Sequence, residues 1–233
     1  MSDNVREAVQ RVYDATWRLA EENDREPLFY PDATRPKPGF AILYTPLPPS
    51  GRADLLICGQ NPSNFSGDGD WSDETNRTML SGTIPEVNSY VEHQHVFARV
   101  LQGCFSALDM MPTLAGATGM NIWHLQTKGR HETIPPHLTE AFEKNSMKVV
   151  MALRPKVILA VGMVAFDVIR GGMPEKNTLR HAYSTGRKER YYSETQRGAT
   201  KVFGVGHVTG SSVPDDVISE GMLRALTGIR ELL

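Results

Sequence analysis

The fold class is decided by the stretch Ala152-Leu153-Arg154-Pro155-Lys156-Val157-Ile158-Leu159-Ala160-Val161-Gly162. A helical pattern that opens at Pro136 ends at Arg154-Pro155, because proline cannot continue a helix. Residues 156–161 form a short apolar run of the length of a fully buried strand. Gly162 leads into a further helical pattern over residues 163–169. Helix, buried strand and helix in this order are typical of a parallel α/β sheet.

The same alternation extends outward from this stretch. It predicts strands over residues 53–58, 120–123 and 201–205, and helices over 5–22, 96–108 and 214–232. A proline-rich covering segment, residues 27–49, is expected to contain a short strand near 40–44. The sequence therefore predicts a single three-layer α/β/α domain over residues 1–233 with a mostly parallel central sheet. The N-terminal helix and the covering segment occupy its first 50 residues.

The bulk composition is that of a globular protein, with 233 residues, 40% hydrophobic and 22% charged. The first 24 residues are charged throughout and resemble no secretory leader. No apolar stretch reaches the roughly 18 residues of a membrane span. We therefore expect a cytoplasmic protein, associated with the nucleoid if bacterial, with no membrane partner. Cys58 and Cys104 are expected to be reduced core thiols rather than a disulfide framework.

Polar, small residues follow three of the predicted strands. These segments are Gly59-Gln60-Asn61-Pro62-Ser63, Asn121 with its neighbours, and Gly206-His207-Val208-Thr209-Gly210-Ser211-Ser212. Ligands of open parallel sheets bind beyond the carboxyl ends of the strands. Alone, Asn61-Pro62 reads as a turn, Asn121 as a strand-end cap and His207 as a structural histidine. Their joint placement at strand ends favours a functional site.

These segments resemble the motifs of the uracil-DNA glycosylase superfamily. Gly59-Gln60-Asn61-Pro62-Ser63 is similar to its first motif, Gly-x-(Asp, Asn or Glu)-Pro-(Gly or Tyr), which follows a buried strand. His207 and the hydroxyl residues after it resemble its second motif, usually His-Pro-Ser. Residues 120–123 resemble the strand whose asparagine reads the base, and residues 152–162 resemble the family's helix-to-strand connection. The resemblance runs from about residue 53 to the C-terminus. With asparagine in the first motif, it is closest in type to the mismatch-specific and single-strand-selective members.

The resemblance implies a monofunctional DNA glycosylase that hydrolyses the N-glycosidic bond of uracil or a 5-substituted or mismatched analogue. Such an enzyme flips a base out of DNA and leaves an abasic site for base excision repair of DNA damage. Its implied catalytic residues are Asn61, which positions the water, and His207, which donates to the base O2 as negative charge develops. The implied base-binding residues are Gln60, Pro62, Ser63, Asn121 and an aromatic in the following loop, Phe65 first and Trp71 second.

The sequence departs from the family pattern at several positions. Asn61 is an amide and cannot act as a general base, so slow chemistry is expected relative to the aspartate-containing members. The proline of the second motif is missing, although Thr209 keeps a hydroxyl for phosphate. The resemblance makes Thr209, Ser211 and Ser212 candidate DNA-binding residues. Ser211 occupies the position where a bulky wedge is common and is small, which favours single-stranded or mismatched DNA. Ser63 leaves room for a 5-substituent. With two cysteines the chain cannot hold the four-cysteine iron–sulfur cluster of some members, and we expect no cofactor or metal.

Other features leave alternatives open. The net charge of −2 does not by itself indicate a nucleic-acid partner. Residues 179–201 are basic, however, and include Arg187, Lys188 and Arg190 as candidate DNA-binding residues. A solvated basic hairpin is the alternative. The acidic loop 68–74 lacks the pattern of a calcium loop, and the histidines at 93, 95, 124, 131 and 137 are expected to be scattered on the surface. A glycosylase fold that binds nucleic acid or a base without excising it, and an unrelated α/β enzyme acting on nucleosides, remain competing hypotheses. A monomer is the default.

Overall fold

A computed structural model describes residues 3–23, 39–62, 81–93, 96–125, 134–171, 178–184, 189–206 and 215–233. Six strands lie in these ranges: β1 (Leu55–Gly59), β2 (Thr118–Asn121), β3 (Val157–Val161), β4 (Leu179–Ser184), β5 (Glu189–Arg197) and β6 (Thr200–Val205). The helices there are α1 (Asp3–Glu22), α2 (Ser89–Glu92), α3 (Val96–Ser106), α4 (Met111–Gly116), α5 (Pro136–Leu153), α6 (Met163–Arg170) and α7 (Asp215–Arg230).

The strands form one mostly parallel sheet in the order β2-β1-β3-β6-β5-β4. The first four strands are parallel neighbours, with Gly59 opposite Asn121 and Val161 opposite Val205. β5 and β4 add an antiparallel hairpin at one edge. The prediction of an α/β fold with a mostly parallel central sheet is confirmed.

Alternate residues of the central strands enter two hydrophobic clusters, one on each face of the sheet. In β3, Ile158 and Ala160 pack with α1, α5 and α6, whereas Val157, Leu159 and Val161 pack with the helices of the opposite face. Both sets are at most 1% exposed. Burial on both faces explains why β3 reads as an unbroken apolar run rather than an alternating one.

Most predicted elements lie where the sequence placed them. α5 begins at Pro136 and ends at Leu153, with Arg154 as its C-cap in the left-handed conformation. The second strand was predicted two residues too late, at 120–123 instead of Thr118–Asn121. Helices α2 and α4 were not predicted, because each is only one or two turns long and shows no apolar period.

The prediction of a short strand near residues 40–44 is wrong. This segment makes only isolated bridges, at Phe40 and Leu43. The segment still runs antiparallel along the outer edge of β2. Ala41 N–H donates to His124 O (3.0 Å), Asn121 N–H to Ile42 O (2.9 Å) and Tyr44 N–H to Gly119 O (2.8 Å). Prolines at 46, 48 and 49 carry no N–H and end the pairing. The segment therefore covers the edge of β2 without becoming a regular strand.

The prediction that the histidines lie on the surface is wrong for His124, which is fully buried. Its Nδ1 lies 3.1 Å from Thr16 Oγ1 and its Nε2 lies 2.9 Å from Ser146 Oγ. Burial lowers the pKa of His124 to about 3, so the ring is neutral at ordinary pH. The side chain links α1, the segment after β2 and α5, a long-range arrangement that no local spacing encodes.

Both cysteines are buried and unpaired by disulfides, as predicted. None of the helices among the described residues is long and apolar enough to span a membrane.

Candidate functional site

The carboxyl ends of the four parallel strands meet at one edge of the sheet. β2 ends at Asn121, β1 continues into Gln60-Asn61-Pro62, β3 into Gly162 and β6 into Gly206. The structure thus brings the end of β1, with Gln60-Asn61-Pro62 after it, beside the end of β2 at Asn121. Gly206, which precedes His207 in the chain, lies at the same edge. The site, where it lies within the described residues, is built on strand ends that the core holds in place.

The junction between β1 and β2 is joined by backbone hydrogen bonds beyond the last strand residues. Ile122 N–H donates to Gly59 O (3.0 Å) and Trp123 N–H donates to Gln60 O (2.7 Å). A Cβ added at Gly59 would lie 3.0 Å from Asn121 Oδ1. Glycine at the first position of the motif therefore allows the Asn121 side chain to lie directly against the end of β1.

The side chain of Asn121 is 2% exposed and engaged in the fold. Its Nδ2 donates to Ala41 O at 3.4 Å, and the amide lies near enough to the Tyr44 phenol to favour the ionised form of that group. A side-chain amide offers two donor hydrogens and two acceptor lone pairs. Within the described residues one donor hydrogen is used on Ala41 O, and the remaining positions are available to a further hydrogen-bonding partner.

A buried aromatic pair supports this amide, and the sequence interpretation missed it. Tyr44 stacks on Tyr90 with ring centroids 5.9 Å apart. The Tyr90 ring lies so close to Gly119 that an added Cβ would approach its Oη to 2.6 Å, and this Oη has no hydrogen-bond partner among the described residues. Burial raises the pKa of both phenols, so both are neutral. Tyr44 belongs to the segment over residues 40–44. The strand predicted for this segment was the only feature of the sequence that could have indicated that Tyr44 lies close to Asn121.

Cys58 lies one residue before Gly59 in β1 and is fully buried. Burial raises the pKa of its thiol, so the sulfur carries a proton and is not a nucleophile. The chemistry of this edge is therefore that of neutral amides, phenols and backbone groups in the part of the chain that the structure describes.

Asn61 lies beyond the end of β1 and is partly buried. Its Nδ2 donates to Pro62 O at 3.2 Å, a local bond within the segment that follows β1. Gln60 is also partly buried and Pro62 is buried. The structure thus places Gln60, Asn61 and Pro62 next to Asn121.

The remaining predicted site residues lie outside the described residues. They are Ser63, Phe65, Trp71, Arg187, Lys188, His207, Thr209, Ser211 and Ser212. Arg190 lies in β5 opposite Tyr183 of β4.

The β3 and β6 side of the edge is formed by backbone. Gly162 has φ 103°, a conformation that favours glycine, and its N–H donates to Val205 O at 2.9 Å. It is the N-cap residue of α6, and no side chain caps the first turn of that helix. The positive end of the α6 dipole therefore faces the edge at which the predicted site lies.

The basic segment forms the β4–β5 hairpin, and two of its cations have structural partners. Lys201 Nζ lies 3.3 Å from Glu194 Oε1. Arg197 Nη1 donates to Ile169 O and so caps the end of α6. These two side chains are therefore not part of a simple row of phosphate contacts.

Among the described residues there is no group of three or more His, Cys, Asp and Glu side chains that could hold a metal ion. The chain matches no protein-family model, and no curated protein matches it either.

Proposed function

We propose that the chain is a DNA glycosylase of the uracil-DNA glycosylase type, with the family's three-layer fold, that excises uracil or a 5-substituted or mismatched analogue. One observation carries this proposal. The Gly59-Gln60-Asn61-Pro62 turn and Asn121 lie side by side at the carboxyl edge of a parallel sheet, joined by the Ile122–Gly59 and Trp123–Gln60 bonds. Two motifs that are 60 residues apart in the chain thus meet where such sheets bind ligands.

Asn121 is suited to reading a pyrimidine edge. An amide pairs with a base that presents a donor beside an acceptor, because it offers both itself. The bond to Ala41 O and the neighbouring Tyr44 phenol orient the amide in advance, so the side chain does not have to be ordered when a base binds. A pre-oriented amide discriminates against bases with the wrong edge, since a mismatch would leave a buried polar group unpaired.

The reaction separates charge between sugar and base, and the proposed residues act on the two halves. His207 donates a hydrogen bond to the base O2 while negative charge develops there. Asn61 holds the attacking water on the sugar side but takes no proton from it. The uncapped N-terminal turn of α6, at the same edge, favours a DNA phosphate or the departing anion.

The proposed substrate is single-stranded or mismatched DNA, and the protein acts as a monomer on it. Ser211 and Ser212 are too small to fill the space of a flipped base, so weakly paired bases are favoured. Ser63 admits a 5-substituent, and Phe65 or Trp71 stacks on the base.

A second candidate is a glycosylase-like protein that binds a nucleic acid or a base without excising it. Asn61 favours this alternative, because an amide occupies the place at which a carboxylate would activate water, and its Nδ2 is bonded to Pro62 O.

The two candidates are separated by a cleavage assay on labelled oligonucleotides. The substrates contain uracil, 5-hydroxymethyluracil, thymine opposite guanine, or hypoxanthine, each single- and double-stranded, and alkali then breaks abasic sites. Released base is identified by mass spectrometry, so that base excision is distinguished from backbone cleavage. Asn61→Ala and His207→Ala are compared with Gln10→Ala, an exposed position on α1.

Base release that is lost in Asn61→Ala and His207→Ala but kept in Gln10→Ala supports the glycosylase. Binding of these oligonucleotides by a folded protein without base release supports the second candidate. Hydrolysis of free nucleosides with no action on DNA would contradict both.

A further inference from the structure

A cavity of about 520 Å³ lies at the opposite edge of the sheet, where β3 and β6 begin. It is lined by Pro155, Ile158 and Thr200 of these strand starts, by the last turns of α5 and by the turn after β5. β3 is five residues long, so the cavity is roughly 13 Å from the carboxyl edge along the strand. Its volume is in the range of small-molecule sites.

Three arginines line this cavity: Arg52, Arg154 and Arg197. Arg52 Nε donates to Arg154 O (3.2 Å) and Arg197 Nη1 to Ile169 O, which holds two of the side chains in place. None of the three forms an ion pair with a carboxylate of the described residues. Each guanidinium has five N–H donors, so donors remain on every one of them. Three cations without counterions around one concavity favour an anionic ligand.

Arg154 carries an independent signal. It has φ 43°, one of two non-glycine residues with positive φ among those the structure describes. It is the C-cap of α5, a position where glycine is the unstrained choice. A strained arginine at such a position points to a use for its side chain, because the backbone alone would favour glycine.

Apart from Thr200, whose Oγ1 donates to Pro155 O, the rest of the lining is apolar. Met147, Met151 and Ile158 face the cavity, and Met151 is 71% exposed. Methionine adapts its shape to different apolar partners. An inorganic anion would bond the arginines and leave this surface uncovered.

We propose that this cavity binds an amphipathic small organic anion, with a phosphate or carboxylate head on the three arginines and an apolar body on Met147, Met151 and Ile158. The site does not depend on the glycosylase proposal, since it shares no residue with the carboxyl edge. Guanidinium groups bind phosphates and carboxylates alike in bidentate fashion. The structure therefore indicates an amphipathic anion but does not distinguish a phosphate head from a carboxylate head.

Isothermal titration calorimetry with octyl phosphate tests the proposal. Octanoate, octanol, octylammonium and inorganic phosphate are the matched probes. We expect octyl phosphate or octanoate to bind at least tenfold more tightly than octanol and inorganic phosphate, and the tighter of the two anions identifies the head. Equal binding of octylammonium would overturn the proposal.

Arg154→Gly is the informative variant, because it removes the guanidinium and relieves the positive φ. We expect its melting temperature to be unchanged or higher and its affinity for the anion to fall at least tenfold. Arg99→Gln, an exposed arginine of α3 on the other face of the sheet, should bind as the unmodified protein does. Unchanged affinity in Arg154→Gly, or an equal loss in Arg99→Gln, would contradict the assignment.

Discussion

Gly59 and Asn121 face each other across β1 and β2, and a Cβ at Gly59 would lie 3.0 Å from Asn121 Oδ1. The Asn121 side chain cannot move away freely, because it is 2% exposed and its Nδ2 donates to Ala41 O. We predict that Gly59→Ala lowers the free energy of unfolding by about 1–3 kcal/mol, the usual range for overpacking, measured by urea denaturation. On the proposed function, base release falls as well.

The control is Gly103→Ala in α3, where an added Cβ meets nothing within 4 Å. Alanine is the better helix former, so this change should stabilise the protein by up to about 1 kcal/mol. Equal stability of the two variants would contradict the close contact at Gly59.

Tyr44 and Tyr90 provide a matched pair of phenylalanine substitutions. Tyr44→Phe removes the hydroxyl that lies near the buried Asn121 amide and interacts with it. We predict a loss of about 1–3 kcal/mol in the free energy of unfolding, because the amide loses a buried polar neighbour. Tyr90→Phe removes a buried hydroxyl that has no hydrogen-bond partner among the described residues, so its stability should be unchanged or higher.

Chemical denaturation of both variants checks this difference. A Tyr90→Phe protein that is as destabilised as Tyr44→Phe would show that the Tyr90 hydroxyl has a partner after all. On the proposed function, only Tyr44→Phe should also weaken the preference for uracil over other bases, because the Tyr44 hydroxyl interacts with the Asn121 amide and the Tyr90 hydroxyl does not.

Local patterns were sufficient to predict the α/β sheet and the edge that carries the motif. β3 and α5 are encoded by an apolar run and by the breakers Pro136 and Arg154-Pro155, so their bounds are close to those predicted. Asn121 is the last residue of β2 and Asn61 lies two residues after the end of β1, and parallel strands necessarily end at the same edge.

Contacts between distant segments could not be predicted. Tyr44 and Asn121 are 77 residues apart, Thr16 and His124 are 108 apart, and His124 and Ser146 are 22 apart. Neither periodicity nor spacing records which side chains meet after the sheet has formed. The role of Arg197 could not be predicted either. The sequence counts it only as one more basic residue, whereas in the structure its guanidinium caps α6.

The basic hairpin offers a test of DNA binding. Arg187 and Lys188 lie in the connection between β4 and β5, and each phosphate contact contributes roughly 0.9 to the slope of log affinity against log salt for duplex DNA. We predict that Arg187→Gln with Lys188→Gln lowers this slope by up to about 2, measured by fluorescence anisotropy. Lys201→Gln should change it less, because Glu194 already neutralises Lys201. A larger effect of Lys201→Gln would contradict the assignment.

Neutral, buried His124 makes the stability of the fold depend on pH. Its pKa is about 3 in the folded protein and roughly 6.5 when unfolded, so between these values only the unfolded state binds the proton. Stability from this group is therefore complete above about pH 6.5 and decreases by about 1.4 kcal/mol for each pH unit below it. We predict that His124→Gln is less stable than the unmodified protein at pH 7. Between pH 6.5 and 4.5 its free energy of unfolding should fall less steeply with decreasing pH, because the one-proton contribution of His124 is gone. Urea denaturation across this range measures it, with His137→Gln, an exposed histidine of α5, as control. An unchanged slope in His124→Gln would show that the ring is not held neutral by the core.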